Sequence, residues 1–223
     1  MKIEIVRTGD GSHTLFVPEL REHFHSIHGA VEESNHVFIE EGLLRCLPGP
    51  VIIFEVGFGT GLNVYLTLIN SLKHNIKVVY HSIDNFMLPE SIIEKLDYPS
   101  LPGMQTDDSG LFRKIHHVAC NKPAILNESF ELLKIQDDLI TCELPGYYDL
   151  VYFDAFGPDK QPELWTKPVF SKIFNSMKPG GILVTYSAKG SVRALLAEIG
   201  FIVERKPGAG KKKHMTAALK PRK

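Results

Sequence analysis

The fold is decided by the stretch VIIFEVGFGTGLN, which runs from Val51 to Asn63. Five of its first six residues are apolar, which predicts a strand that is buried on both faces. The chain then turns on Gly57, Gly59 and Gly61 and continues as LNVYLTLINSL, which has helical spacing. Glycines let a backbone approach a ligand closely, and a helix N-terminus attracts anionic groups. A strand, a glycine-rich turn and a helix in this order therefore predict a nucleotide-binding site.

The spacing of the glycines narrows the type of ligand. A dinucleotide fingerprint has the form G-x-G-x-x-G, and its third glycine would fall at Leu62. The G-x-G-x-G form found here resembles motif I of Rossmann-like methyltransferases, which bind S-adenosylmethionine (SAM). The segment KVVYHSID ends on Asp84, 23 residues after Gly61. This is close to the offset of about 20 residues at which such folds place an acid on the ribose hydroxyls. The alternative is a tight turn in a cofactor-free domain, with Asp84 on its surface.

Length and composition predict one soluble domain. The chain has 223 residues, of which 43% are hydrophobic and 23% are charged, and both fractions are ordinary for globular proteins. It has no run of 18 apolar residues and no signal-peptide core, so we expect no membrane segment. Cys46, Cys120 and Cys142 have no paired spacing, which predicts reduced thiols and a cytoplasmic location. Four histidines lie close in sequence, at positions 23, 25, 28 and 36. No cysteine or carboxylate spacing supports a metal site among them, so none is predicted.

Strands and helices alternate along most of the chain. The segments KIEIVRT and HTLFV predict an N-terminal hairpin, and the residues from Gly29 to Leu47 predict a helix. Pro48-Gly49-Pro50 then separates an extension, residues 1–47, from a main domain, residues 48–223. Further strands are predicted at KVVYHSID, FELLKI, YYDLVYFDAF, GILVTYS and FIVERK, with helices at Trp165 to Met177 and Ser191 to Ile199. The first of these helices is predicted to stop at Lys178 to Gly181, and the stretch from Tyr98 to Leu126 is predicted as loops with one helix. This alternation predicts an α/β fold with a doubly wound, mostly parallel sheet.

The net charge of −1 hides an asymmetry. Positions 205–223 hold eight Lys and Arg residues and no Asp or Glu, whereas the remainder holds 17 basic and 26 acidic residues, a net of −9. Lys211, Lys212 and Lys213 lie between two apolar-rich segments, FIVERK and HMTAALK, which predict a hairpin. A concentrated positive patch on an acidic body predicts a polyanionic partner. The alternative is a frayed, solvated C-terminus.

The strand YYDLVYFDAF carries the predicted chemistry. Its apolar run ends at Asp154, and ligands of open α/β sheets lie at the carboxyl ends of the strands. Asp154 is therefore predicted to face both the group donor and the acceptor. The alternative is that Asp154 caps the following helix or turn.

Five segments together resemble the methyltransferase domain of MnmC. They are, in chain order, HSIHGAVEESNHVFIEEGLL, GFGTGLN, YFDAFGPDKQPELW, KPGGILVTYSAKGSVRALLAEIGF and GAGKKKHM. The resemblance implies a SAM-dependent enzyme that methylates the aminomethyl group on the wobble (2-thio)uridine of tRNA. The best-known members of this family also carry an FAD-dependent oxidase. Because this chain ends at Lys223, we expect no oxidase domain and a substrate made by upstream enzymes.

The resemblance also assigns roles to residues. The cofactor residues are Glu55, Gly57, Gly59, Thr60 and Gly61 in motif I, Asp84 on the ribose, and Asp138, or else Asp137, on the adenine amine. Asp154 is the catalytic residue beside the methyl group and the acceptor amine. The tRNA-binding residues are Tyr186, which either stacks on the base or is a half-buried strand-end aromatic, Arg193 in the segment from Gly190, and Lys211, Lys212 and Lys213. The family's last motif reads G-x-K-R-E-M, whereas this chain has GKKKHM, so Lys213 replaces an arginine and His214 an acid.

Two other functions are compatible with the same features. One is a SAM-fold transferase that acts on a small amine, as polyamine-type enzymes do, which leaves the lysine-rich hairpin without a role. The other is a non-catalytic RNA-binding or assembly protein that retains the fold. Dependence on RNA separates the first alternative from the tRNA methyltransferase. Binding of SAM separates both enzymes from the non-catalytic protein.

Overall fold

The computed structural model describes residues 2–106, 108 and 110–222. The N-terminal extension begins with a small antiparallel sheet of β1 (Glu4–Arg7), β2 (His13–Val17) and β3 (Glu22–His23). The predicted hairpin is therefore present as β1 and β2. The predicted helix that follows has three parts, namely α1 (Ala30–Ser34), a π-helical turn (Asn35–Glu40) and a 3₁₀ turn (Leu43–Cys46).

A sheet of eight strands forms the centre of the molecule. In chain order its strands are β4 (Val51–Val56), β5 (Val78–Asp84), β6 (Ala124–Asn127), β7 (Phe130–Gln136), β8 (Tyr148–Phe153), β9 (Met177–Thr185), β10 (Ile202–Pro207) and β11 (His214–Leu219). Their spatial order is β10-β11-β9-β8-β4-β5-β7-β6. The five strands from β9 to β7 in this order are parallel to one another. The strand β11 is antiparallel to both β9 and β10, and β6 is antiparallel to β7. The predicted doubly wound, mostly parallel sheet is confirmed.

Two apolar cores cover the two faces of this sheet. The helices of the main domain are α2 (Leu62–His74), α3 (Glu90–Ile93), α4 (Leu111–His117), α5 (Lys167–Ser176) and α6 (Gly190–Ile199). Residues of α2 and α4 and of the extension pack in one core, and residues of α5 and α6 pack in the other. The adjacent residues Ile53 and Phe54 of β4 are fully buried in opposite cores. An apolar run without alternation is expected for such a central parallel strand.

The structure corrects two details of the sequence analysis. The residues Lys178 to Gly181, predicted as a helix stop before the strand, lie inside β9. They form a bulge, because Tyr148 pairs with Met177 while Leu150 pairs with Ile182. The positive φ of Gly180, +82°, is one that glycine adopts without strain. The second correction is β6, which lies in a region predicted as loops with one helix and pairs with β7.

The topology brings four strand ends together. The residues at or just after the carboxyl ends of β4, β5, β7 and β8 are Gly57, Asp84, Asp137 and Asp154, respectively. The chain adds strands on one side of β4 with β5 and on the other side with β8. A crevice opens where the winding direction reverses in this way, and ligands of such folds bind there.

Candidate active site

A cavity of about 320 Å³ lies at these strand ends, and we call it the strand-end cavity. Six residues predicted from the sequence line it, namely Gly57, Gly59, Asp84, Asp137, Asp138 and Asp154. Its apolar walls include Phe24, Phe86, Leu139 and Phe156. Clefts that combine apolar walls with a few convergent polar groups are typical of small-molecule sites.

The glycine turn passes very close to the end of β8. A Cβ atom on Gly57 would lie 2.7 Å from the carbonyl oxygen of Asp154, and its φ of +94° is one that other residues rarely adopt. The amide of Gly57 donates to the carbonyl oxygen of Ile83, and that of Asp154 donates to that of Val56, each at 2.9 Å. The glycine at position 57 is therefore required for the close approach of β4, β5 and β8 at the floor of the cavity.

Asp84 holds the glycine turn in place. Its Oδ2 accepts a hydrogen bond from the amide of Gly59 at 3.1 Å, and its Oδ1 accepts one from the amide of Phe86 at 3.0 Å. Burial raises the pKa of this carboxyl, while the hydrogen bonds from backbone amides act in the opposite direction. A carboxylate oxygen can accept more than one hydrogen bond, so Asp84 retains acceptor capacity toward the cavity.

Another wall of the strand-end cavity is formed by the residues that follow β7. Asp137 accepts the amide hydrogen of Asp138 at 2.7 Å, and Asp138 accepts that of Ile140 at 2.8 Å. Both carboxylates are exposed and line the cavity beside the buried Leu139. This wall combines an apolar surface with acceptors at its edge, which suits a flat heterocycle that carries an amino group.

Asp154 contributes a carboxyl to the strand-end cavity whose pKa is strongly raised. Its side chain is 7% exposed, and its Oδ2 accepts a 2.8 Å hydrogen bond from Nδ2 of Asn63. Burial raises its pKa well above the ordinary value. The hydrogen bond from Asn63 lowers the pKa, as does the charge of Lys212, whereas the charges of Glu55 and Glu33 raise it further. A buried carboxyl of this kind in a cleft is a candidate for proton handling.

His25 is a site residue that the sequence analysis did not assign. Its imidazole lines the strand-end cavity, with Nδ1 4.0 Å from Oδ2 of Asp154 and Nε2 3.0 Å from Oγ1 of Thr60. Burial lowers its pKa to about 4, so the ring is neutral near pH 7. The neighbouring Phe24 contacts Phe156 edge to face, with 5.2 Å between ring centroids. The only signal in the sequence was the group of histidines that was considered for metal binding.

Three of the predicted cofactor residues do not line the cavity. Glu55 is fully buried, accepts a 2.6 Å hydrogen bond from Oγ of Ser82, and has its pKa raised to about 8 by burial. Thr60 is fully buried and reaches the cavity through its contact with His25. Gly61 precedes α2 with a φ of +70°. These three residues lie next to the glycine turn, outside the lining of the cavity. Their direct contact with a cofactor stays a prediction.

A second concavity, of about 400 Å³, adjoins the first, and we call it the lysine groove. It is lined by Glu22, by the loop from Gly157 to Lys160, by the segment from Tyr186 to Lys189 and by the segment from Lys212 to His214. Lys160 lines both concavities. The hydroxyl of Tyr186 donates to the carbonyl oxygen of Ala155 at 2.9 Å, which fixes this ring next to Asp154.

The predicted tRNA-binding residues are only partly brought together. Tyr186, Lys212 and Lys213 line the lysine groove. Lys211 is exposed on the adjoining turn and lies outside the groove lining. Arg193 donates to the carbonyl oxygen of Ala188 and also lies outside it.

The part of the chain that the structure describes contains neither a metal-binding cluster nor a membrane-spanning helix. Over residues 2–106, 108 and 110–222, no group of three or more His, Cys, Asp or Glu side chains could hold a metal ion. None of the helices in the same part of the chain combines the length and apolar character needed to cross a bilayer.

The chain is similar to known SAM-dependent methyltransferases. A family profile described as S-adenosyl-L-methionine-dependent methyltransferase matches residues 121–221, which include Asp154. A relative from Leptospira borgpetersenii serovar Hardjo-bovis, the tRNA 5-methylaminomethyl-2-thiouridine biosynthesis bifunctional protein MnmC, is 30% identical over 204 residues. The match covers 86% of this chain and 31% of that protein. The chain thus spans about a third of the length of the MnmC proteins that it matches.

Two solved structures share the fold. The structure of MnmC2 from Aquifex aeolicus superposes with a TM-score of 0.82 at 28% identity, covering all of this chain and 71% of that one. Spermidine synthase from Thermotoga maritima superposes with a TM-score of 0.56 at 11% identity, covering 98% of this chain and 68% of that one. At such low identity the second match shows the fold alone.

Proposed function

We propose that this chain is a SAM-dependent enzyme that N-methylates the 5-aminomethyl group of the wobble (2-thio)uridine in tRNA, because it is similar to the methyltransferase portion of MnmC. The product is 5-methylaminomethyl(2-thio)uridine. The observation that carries the proposal is the position of Asp154 in the strand-end cavity, which adjoins a groove lined by lysines. A buried carboxyl then lies between a cofactor site and a surface suited to a polyanion.

The strand-end cavity fits SAM. The turn at Gly57 and Gly59 leaves backbone exposed toward the cavity without side chains in the way. Asp84 offers acceptors for the ribose hydroxyls, and Asp138 or Asp137 offers one for the adenine amine beside Leu139. When bound, SAM supplies a methyl group that its sulfonium has already activated.

Asp154 and His25 determine the protonation of the acceptor. An alkylamine is protonated near pH 7 and cannot act as a nucleophile in that form. Both side chains are 7% exposed, and a buried environment disfavours a charged amine. Oδ1 of Asp154, the oxygen that Asn63 does not engage, can accept a hydrogen bond from the amine, orient its lone pair and stabilise the positive charge that develops on nitrogen. Most of the acceleration then comes from positioning in a site that excludes water.

The basic turn, which we define as residues 208–213, and the groove beside it would receive the tRNA. This region supplies the positive charge that an otherwise acidic chain lacks. The half-buried ring of Tyr186 stands at the end of β9, where it can stack on a base that has left the anticodon stack. Upstream enzymes supply the aminomethyl group, and we expect the reaction to take place in the cytoplasm, where tRNA is modified.

The decisive experiment measures methyl transfer from labelled SAM to tRNA from a strain that is blocked at the aminomethyl stage. We expect the label in 5-methylaminomethyl(2-thio)uridine, identified by mass spectrometry of nucleosides. Fully modified tRNA, which has no free aminomethyl group, is the matched negative control. Transfer to spermidine or putrescine instead of tRNA would favour a small-amine transferase. Absence of both SAM binding and transfer to any acceptor would favour a non-catalytic RNA-binding protein.

A further inference from the structure

Glu33 and Lys212 connect the two concavities of the site. Glu33 lies on α1, and its side chain is 9% exposed. Its Oε1 pairs with Nζ of Lys212, and its Oε2 accepts a 2.9 Å hydrogen bond from the amide of Ser26. Ser26 follows His25, which lines the strand-end cavity, whereas Lys212 lines the lysine groove. The carboxylate of Glu33 is therefore bonded both to Lys212, which lines the lysine groove, and to Ser26, the residue after the cavity-lining His25.

The contacts of Lys212 continue toward Asp154. Its Nζ lies over the ring of Tyr186, 4.7 Å from the ring centroid, in a cation–π arrangement. The hydroxyl of Tyr186 donates to the carbonyl oxygen of Ala155, the residue after Asp154. Lys212 is thus held on one side by a nearly buried carboxylate and on the other by an aromatic face.

The two flanking lysines have a different environment. All three lysines are exposed, Lys212 with 41% of its side chain accessible, but neither Lys211 nor Lys213 makes an ion pair within the described part of the chain. The turn that carries them is fixed by its own backbone, since the amide of Gly208 donates to the carbonyl oxygen of Lys213 at 3.2 Å. His36 also fixes this turn from the extension, with Nε2 3.0 Å from the carbonyl oxygen of Pro207.

We propose that Glu33 and Lys212 are positioning residues that hold the lysine groove against the strand-end cavity, whereas Lys211 and Lys213 bind the phosphates of the RNA. This inference rests on the proposed function. Three consecutive lysines then have two roles. Lys212 sets the geometry of the acceptor site, whereas Lys211 and Lys213 supply affinity for the RNA. An exposed lysine without a partner can meet a phosphate at little cost, whereas Lys212 would first have to leave a nearly buried carboxylate unpaired.

The test compares four variants in methyl transfer to aminomethyl tRNA and in tRNA binding at several salt concentrations. We expect Lys212→Met and Glu33→Gln each to lower kcat about 10-fold or more, since a small misplacement of reacting groups is costly. The affinity for SAM and the salt dependence of tRNA binding should stay within twofold of wild type. Lys211→Met should instead weaken tRNA binding and reduce the salt slope by about 0.7 for each lost contact with single-stranded RNA. Lys77→Met, an exposed lysine before β5, is the matched control and should change neither quantity.

Two further measurements separate positioning from a general loss of structure. Lys212→Arg keeps a cation on Glu33 and Tyr186 and should recover part of kcat, and thermal melting of each variant should show a folded protein. The double variant Glu33→Gln/Lys212→Met removes both charges and should lose no more kcat than the worse single variant, because the two residues act as one unit. The inference is overturned if Lys212→Met behaves like Lys211→Met, with kcat intact and a reduced salt slope. Failure of the wild-type enzyme to methylate tRNA would overturn the proposed function and this inference together.

Discussion

The side-chain amide of Asn63 donates a 2.8 Å hydrogen bond to Oδ2 of Asp154. Asn63 lies in the first turn of α2, just after the glycine turn, and is 2% exposed. The bond therefore ties the helix that follows β4 to the loop that follows β8. Because Nδ2 is a donor, it fixes which carboxyl oxygen is engaged and leaves Oδ1 of Asp154 available for a substrate.

Replacement of Asp154 should lower the rate of methyl transfer without weakening the binding of SAM. We expect Asp154→Ala to retain SAM affinity within about threefold and to lose 100-fold or more of kcat, since a positioned proton-handling group contributes roughly 10²- to 10⁴-fold. Calorimetric titration with SAM and single-turnover methyl transfer check the two parts. Asp149→Asn, at the amino end of β8, is the matched control. It loses the contact with Lys178 and some stability but should keep its turnover. A fully active Asp154→Ala enzyme would remove Asp154 from the mechanism.

Loss of the Asn63 amide should change the pH dependence of the reaction. The hydrogen bond from Asn63 lowers the pKa of Asp154, so its removal in Asn63→Ala raises that pKa further. If the ionised carboxylate is the active form, the acidic limb of the plot of kcat against pH should move to higher pH. Asn70→Ala, two turns along the same helix, removes a bond to the carbonyl oxygen of Leu66 and should leave the profile in place. An unchanged profile in Asn63→Ala would mean that Asp154 does not set that limb.

Sequence spacing was enough to predict that the glycine turn, Asp84 and Asp154 meet at one cavity. The glycines, the acid 23 residues later and Asp154 all lie at or just after the ends of predicted parallel strands, and such ends meet at one edge of a sheet. Local pattern and topology therefore determine where these residues lie. The same reasoning could not find His25 or Glu33, because both belong to the extension and reach the site only through tertiary packing.

The role of the lysines in the basic turn could also be predicted only in part from the sequence. Pattern alone placed three lysines on a hairpin, and the strands β10 and β11 bear this out. It did not distinguish Lys212 from its neighbours, because the partner Glu33 lies 179 positions away in the sequence. The bulge at Gly180 was missed for a similar reason. Its amide donates to the carbonyl oxygen of Lys220, a residue at the far end of β11, and no local signal indicates that pairing.

Replacement of Asp84 should weaken cofactor binding. Asp84→Asn keeps the volume of the side chain but replaces one acceptor oxygen with an NH2 donor. That donor would face the backbone amide of Gly59 or of Phe86 and could not accept from a ribose hydroxyl. We expect SAM affinity to fall about 10-fold or more, as for the loss of a charge-assisted hydrogen bond. Titrations with SAM and with S-adenosylhomocysteine should show the same loss, since both carry the ribose. Asp97→Asn, an exposed acid before a 3₁₀ turn, should bind like wild type. Wild-type affinity in Asp84→Asn would contradict the ribose assignment.

The carboxyl of Glu55 is buried inside the sheet and should make stability depend on pH. Burial raises its pKa from 4.5 to about 8 in the folded protein, so between these values the folded state holds a proton that the unfolded state releases. The contribution of Glu55 to the free energy of unfolding is therefore complete below pH 4.5 and is lost as the pH rises toward 8. Gln at this position does not titrate and can still accept the hydrogen bond from Ser82.

We expect the stability of Glu55→Gln relative to wild type to increase between pH 5 and pH 8, by on the order of a kcal/mol per pH unit. His25 and His116, whose pKa values burial lowers to about 4, act in the opposite direction between pH 4 and pH 6.5. Because both proteins contain them, their contributions cancel in the difference between the variant and wild type. Urea denaturation of the two proteins at several pH values measures that difference directly. A difference that does not vary with pH would show that Glu55 titrates normally in the folded protein, and that the cavity floor is open to water.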